Sequence, residues 1–209
     1  MINTLIFDFG DVFINLDKPA IERSLFKLGV SSITEDMLQT AMLYEKGLIS
    51  TQEFVSSFTS KYPDITAQQF KEAWNSIILD FPEHRLDFIK KLSTTKKYTL
   101  ILLSNTNALH IEQVIKNMSL YRYESFKNCF DRFYLSHELK LRKPDASIYE
   151  YVLEVNQLEA KSCFFVDDTK ENTAAASKLG IHTWNNDPVK EDVIRLFENP
   201  LFTNAPQPC

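Results

Sequence analysis

The chain has 209 residues, room for one large domain or one domain carrying a smaller insert. Hydrophobic residues make up 44 % and charged residues 24 %, the composition of a soluble globular protein. A formal net charge of -5 argues against long nucleic acids or an anionic membrane as main partners, so any phosphate site must be made positive locally, by a metal or a few placed donors.

Met1-Ile2-Asn3-Thr4 leads straight into an apolar run, which is not the pattern of a signal peptide. No apolar stretch approaches the roughly 18 to 20 residues that span a bilayer, and the expectation is a cytoplasmic protein. The three cysteines, Cys129, Cys163 and Cys209, share no metal-type spacing, and their odd number suits a reducing compartment. Cys163 lies in an apolar run and reads as a small core residue.

Thr4 to Asp8 reads as a first buried strand. From Asp17 to Pro82 no strand pattern follows, but several helix starts do. Ser32-Ile33-Thr34-Glu35 and Ser50-Thr51-Gln52-Glu53 fit the capping box, and Thr66-Ala67-Gln68-Gln69 fits its glutamine version. Phe54 and Phe58, then Phe70, Trp74 and Ile77, recur at helical spacing and read as the core of a small bundle. A crossover this long exceeds what a βαβ unit needs, which predicts a helical cap over residues 17–82 inserted into a core of 1–16 and 83–209.

The later chain alternates. Thr99 to Leu103, Arg132 to Leu135, Cys163 to Val166 and Ile181 to Trp184 read as further parallel strands buried on both faces. Between them, Ile148, Tyr151, Val152 and Val155 follow a helical period, with Asp145 as its expected N-cap. Gly180 stands where a helix would end in a left-handed residue. The fold class is therefore α/β, a parallel sheet covered on both faces plus an inserted helical cap. The segment from Asn199 to Cys209 holds three prolines and little pattern, and is expected to be a loosely docked tail.

Ligands in open α/β sheets bind at the carboxyl ends of the strands. Asp8-Phe9-Gly10-Asp11 follows the first predicted strand, and Ser104-Asn105-Thr106-Asn107 the second. Arg142-Lys143-Pro144-Asp145 comes beyond the third, and Asp167-Asp168-Thr169, with Asn172 one turn on, follows the fourth. Carboxylates, a hydroxyl, an amide and a lysine thus converge on one sheet edge. Any one of them alone is ordinary turn chemistry; four in order are not.

These residues, in this order, resemble the haloacid dehalogenase superfamily over nearly the whole chain. The resemblance is sharpest at Leu103 to Asn107, Leu139 to Asp145 and Phe165 to Asp168, and, with Tyr44 to Ser50, it looks like the sugar-phosphatase branch typified by bacterial alpha-D-glucose-1-phosphate phosphatases. It implies a Rossmann-like three-layer core with a four-helix cap inserted after the first strand, and a magnesium-dependent phosphatase acting on a small phosphorylated metabolite, a sugar phosphate in that branch. Asp8 falls at the family nucleophile, Ser104 at the phosphate-binding hydroxyl and Lys143 at the neutralising lysine. Asp168 and Asn172 fall at the late metal-binding pair, and the main-chain carbonyl of Gly10 at a further metal contact.

The chemistry needs these residue types. A carboxylate approaching a phosphate dianion meets roughly 8 kcal/mol of repulsion at about 4 Å and an effective dielectric near 20. A divalent cation and one lysine reverse that sign, and magnesium suits hard oxygen ligands such as Asp8 and Asp168. Ser104 and the Asn105 backbone N–H are placed to hydrogen-bond phosphoryl oxygens, and Asp8 would carry the phosphoryl group until water removes it.

One departure stands out. Most phosphatases of the superfamily have a second aspartate two residues after the nucleophile, as general acid and base; here that residue is Gly10, and Asp11 comes one later. Asp11 is a candidate for proton transfer or for bracing the loop, and a metal-ordered water is the other proton carrier. Asp167 reads as an orienter of a ligand or of Lys143. His110 and His137 lie near the same loops without a metal-ligand partner at helical spacing, while Tyr44 and Glu45 are candidates to face a substrate from the cap. Two other activities use similar parts. A 2-haloacid dehalogenase needs no metal, which the Asp167-Asp168 pair argues against; a non-catalytic signalling receiver has its acidic pair first in the chain and no large cap.

Overall fold

The apolar runs become strands because each presents one set of side chains to either face of a central sheet. The structure, a computed structural model, describes residues 1–205. Strands β1 (Thr4–Phe7), β2 (Thr99–Ser104), β3 (Arg132–Leu135), β4 (Cys163–Asp167) and β5 (His182–Asn185) form one parallel sheet in the order β3-β2-β1-β4-β5. Leu5, Phe7, Leu100, Leu102, Phe164 and Val166 enter one core layer; Ile6, Ile101, Leu103, Cys163 and Phe165 enter the other. That two-residue alternation with both faces buried is why the runs carry so few polar residues. Helices α5 (Glu83–Thr95), α6 (Ala108–Met118) and α7 (Leu120–Lys127) cover the first layer, and α9 (Ala146–Val155) and α10 (Lys170–Lys178) the second. Among the described residues no helix is long and apolar enough to cross a membrane.

Four details correct the sequence reading. β3 and β5 are not buried on both faces: each is an outer strand with one neighbour, and Arg132 and Asn185 are exposed. Asp145 precedes α9 but its side chain makes no capping bond; its carboxylate accepts from Lys46 Nζ at 2.9 Å instead. The helix expected to be capped by Ser32 starts at Glu35, so Thr34, extended at φ -89°, ψ 157°, takes the cap and accepts from Met37 N. The tail is docked as far as it is described: α11 (Pro200–Thr203) buries Phe202 against the ring of Phe164. Residues 206–209, with Cys209, lie outside the described residues. Gly180 does end α10 with φ +87°, a conformation costly for residues with a Cβ.

Between β1 and β2 stand four helices, α1 (Ala20–Lys27), α2 (Glu35–Glu45), α3 (Thr51–Thr59) and α4 (Ala67–Asn75). They enclose a second hydrophobic cluster of Leu25, Tyr44, Phe54, Phe58, Phe70 and Trp74. Ser50 with Glu53, and Thr66 with Gln69, form complete capping boxes that set the starts of α3 and α4. The segments into and out of this bundle run side by side: Asn15 N donates to Asp80 O, Asp17 N to Ile77 O, and Leu79 N to Asn15 O, around a bridge between Leu16 and Ile78.

The chain builds outward from β1 to β2 and β3, then returns to add β4 and β5 on the other side. The point where the order reverses lies between β1 and β4, and there diverging connections leave a crevice at the carboxyl ends.

Candidate active site

Register places the crevice residues. Phe7 pairs with Val166, so the next residue on each strand, Asp8 and Asp167, emerge side by side, and Asp8 N donates to Val166 O at 2.9 Å. Between their carboxylates lies Lys143, 1 % exposed, whose Nζ donates to Asp8 Oδ1 at 2.7 Å and Asp167 Oδ2 at 2.6 Å. Lys143 comes from the loop after the short helix α8 (Ser136–Leu139), and the Asn105 side chain fixes that loop. Asn105 Nδ2 donates to Lys143 O at 2.8 Å, and Asn105 Oδ1 accepts from Lys143 N at 2.9 Å.

Asp167 is fully enclosed. Its Oδ1 accepts from Thr169 N at 2.8 Å and Asn172 Nδ2 at 3.0 Å, so each carboxylate oxygen already has a donor. Asn172 is thus bonded to Asp167, and Asp167 in turn to Lys143. Asp8 Oδ2 and the Gly10 carbonyl have no hydrogen-bond donor among the described residues. Oxygens of Asp8, Asp167 and Asp168 all lie within 4.8 Å of one another. With Asp167 occupied, the oxygens that fit a hard divalent cation are those of Asp8, Asp168 and the Gly10 carbonyl. A cationic group already lies at this cluster: Lys18 Nζ is 2.5 Å from Asp168 Oδ2 and 3.1 Å from Asp11 Oδ2.

The electrostatics follow from burial. Desolvation lifts the Asp8 carboxyl to about 7, against the opposing pull of Lys143. Desolvation works against the Lys143 ammonium, but Asp167 and Asp8 outweigh it and hold its pKa above the ordinary lysine value. Burial likewise raises Asp168 and Glu45, with Lys18 and Arg142 respectively pulling the other way.

These groups open onto a cavity of about 400 Å³. Asp8, Gly10, Ser104, Asn105, Lys143, Asp168 and Asn172 all contribute to its wall, so seven of the nine residues read at the strand ends as nucleophile, phosphate or metal contacts or their supports meet in one place. The other two, Asp11 and Asp167, lie behind it. Asp11 braces its own loop: at φ +53° it accepts from Leu16 N through Oδ1 and pairs with Lys18 through Oδ2. A Cβ on Gly10 would meet Leu16 Cδ1 at 2.7 Å, so a side chain at position 10 would require the tip of Leu16 to turn aside.

The outer wall comes from the bundle and the loops beneath it. Glu45 Oε2 accepts from Arg142 Nη2 at 3.2 Å across the two parts of the molecule, and Ile77, Ile78 and Leu16 supply an apolar side. Tyr44 is packing: it stacks on Phe54 at 4.3 Å, and its hydroxyl accepts from Leu109 N. His110 lines the cavity with both ring nitrogens engaged, Nε2 with Trp74 O and Nδ1 with Asn107 Nδ2, and desolvation lowers its pKa to about 4. His137 lies under the bundle, its main-chain carbonyl against Gly47. Lys18, the Asn105 side chain and the Glu45–Arg142 bridge escape sequence reasoning. Only Lys18 leaves a trace there, as a cation just before Pro19 at the start of the cap segment.

The doubly wound sheet thus carries a buried aspartate–lysine–aspartate row at its switch point. Residues 5–185 match the family model of haloacid dehalogenase-like hydrolases, and the chain belongs to that family. It is similar to the D-ribitol-5-phosphate phosphatase of Bacteroides thetaiotaomicron, at 26 % identity over 88 % of this chain and 91 % of the relative. Among solved structures it resembles a HAD family enzyme of the same organism in its magnesium complex, at 36 % identity and TM-score 0.84, covering 95 % of this chain and 99 % of that one. The wild-type complex of that enzyme with magnesium and inorganic phosphate gives 36 % identity and TM-score 0.82, over 94 % and 100 %. The family expectation is borne out; the glucose-1-phosphate branch gains no support from these relatives.

Proposed function

We propose that this enzyme is a magnesium-dependent phosphatase of small phosphorylated metabolites, a sugar or polyol phosphate foremost, working through a phospho-aspartate on Asp8. The observation that carries this reading is Lys143, held by Asp8 and Asp167 at the floor of the cavity with Asp168 beside them. Asp8, Asp168 and the Gly10 carbonyl would hold magnesium, which supplies Lewis-acid neutralisation of the phosphoryl oxygens and of the Asp8 charge.

The chain's own residues do the remainder. Lys143 adds a fixed charge that Asp167, pinned by Asn172 and Thr169 N, keeps aimed at Asp8. Asp8 attacks phosphorus, the P–O bond to the alcohol breaks as its oxygen takes a proton from solvent water, and the phosphoryl group rests on the carboxylate until a second water cleaves it to free phosphate and returns a proton to solvent. Ser104 and Asn105, at the end of β2, line the wall where the phosphoryl oxygens would lie. Residues 17–82 act as a cap that presents Glu45 and the apolar Ile77 and Ile78 to the alcohol part. A polar pair facing an apolar side suits a hydroxylated carbon chain, and the named activity of the ribitol-5-phosphate phosphatase supports that class.

The test is phosphate release by purified protein with magnesium across sugar phosphates, polyol phosphates, nucleotides and a chromogenic ester. Activity that a chelator removes and Asp8→Asn abolishes is expected, with polyol and sugar phosphates ahead of nucleotides. Halide release from a 2-haloacid without metal, and no phosphate release, would replace this reading by the dehalogenase one.

A further inference from the structure

Lys18 is a cation that the catalytic scheme does not use, and its position is built. Asp17 beside it is held by Arg23 and by its own N–H to Ile77 O, and its carbonyl accepts from Ala20 N at 2.8 Å, closing a turn around Lys18 and Pro19. The linker therefore delivers the ammonium to one place, between Asp168 Oδ2 at 2.5 Å and Asp11 Oδ2 at 3.1 Å. Both carboxylates are about nine-tenths buried, whereas the Lys18 side chain is 56 % exposed. Lys143 is committed to Asp8 and Asp167, so without Lys18 the carboxylates of Asp168 and Asp11 would stand close together with no cation.

We propose that Lys18 is a stand-in cation for the metal site. With no divalent ion bound, its ammonium neutralises Asp168 and ties the linker to the core. A divalent ion taking Asp168 displaces the ammonium from that oxygen, so metal occupancy is read by the segment that leads from the core into the cap. This inference rests on Asp168 being a metal ligand. The exchange makes and breaks only ionic contacts: one ammonium–carboxylate pair is given up for one metal–carboxylate contact, and no proton or electron moves.

Two measurements on the full chain test it, neither of them turnover. The first is lysine footprinting by mass spectrometry with an amine-acylating reagent, with and without magnesium chloride and referenced to Lys27, an exposed lysine of α1. Magnesium is expected to raise Lys18 labelling severalfold while leaving Lys27 unchanged, and Asp168→Asn to raise it already in the metal-free protein. The second is magnesium titration by calorimetry. Lys18→Met is expected to bind magnesium about two- to fivefold more tightly than wild type, the range set by losing one exposed ion-pair competitor, and Lys18→Arg to stay near wild type. Footprinting of wild type needs no variant to fold.

Unchanged or reduced Lys18 labelling on magnesium addition, with magnesium bound by wild type and lost in Asp168→Asn, overturns the stand-in alone. Lys18→Met binding no tighter than wild type does the same. If Asp168→Asn binds magnesium as wild type does, the reading of Asp168 as a ligand falls, and this inference with it.

Discussion

Replacing Asp167 with asparagine removes one negative charge from a residue that touches neither cavity nor solvent. Its carboxylate meets donors on both oxygens, Lys143 Nζ at 2.6 Å on one side and Thr169 N and Asn172 Nδ2 at 2.8 and 3.0 Å on the other. An amide offers a single acceptor oxygen, so whichever way it turns, an NH₂ group faces a donor. Breaking a buried ion pair by removing one partner costs about 3 to 5 kcal/mol, and the low end applies because Lys143 keeps Asp8. About 3 kcal/mol in a chain of this size lowers Tm by roughly 6 to 12 °C. Lys143 also loses one of its two anchors, and misplacing a catalytic charge by about an ångström costs on the order of 10²-fold in kcat. Differential scanning calorimetry reads the first effect and steady-state kinetics on the substrate found by the phosphate screen the second. An Asp167→Asn protein melting within about 2 °C of wild type, with kcat unchanged, would refute the view that this carboxylate holds the lysine in place.

Three further outcomes are expected. Gly47→Ala should cost about 3 kcal/mol by urea denaturation, since Gly47 has φ +61° and a Cβ there would lie 1.9 Å from the His137 carbonyl oxygen; a loss under about 1 kcal/mol would mean the bundle shifts freely over the core. His110 is held neutral by the fold, with a folded pKa of about 4 against 6.5, so its contribution to stability is complete above about pH 6.5 and is lost as pH falls towards 4, at up to roughly 1.4 kcal/mol per pH unit. His110→Gln should flatten the stability–pH curve in that window, and identical slopes for the two proteins would count against it. Asp11→Asn should leave kcat within about threefold, because Asp11 lies behind the cavity wall and the amide oxygen can still accept from Leu16 N; a loss of 10²-fold or more, the usual scale for general acid–base catalysis, would make Asp11 the proton carrier instead.

The sequence by itself determined the alternation of buried strands and amphipathic helices, the bundle between the first two strands and the convergence of Asp8, Ser104, Lys143 and Asp168. Those features rest on short-range rules: an apolar run flanked by turn residues has few other ways to bury itself, and Ser50 and Thr66 cap helices through partners three residues away. What only the tertiary structure decided are contacts between residues far apart in the chain. Asp145 is drawn from its expected cap by Lys46 on the bundle, Phe202 is buried by a strand almost forty residues earlier, and Lys18 finds Asp168 across 150 positions. Asp11 and Asp168 have the same side chain in the sequence. One braces a loop through the Leu16 N–H and the other lines the cavity, because the local backbone path and the sheet register, not residue type, set which carboxylates the crevice can use.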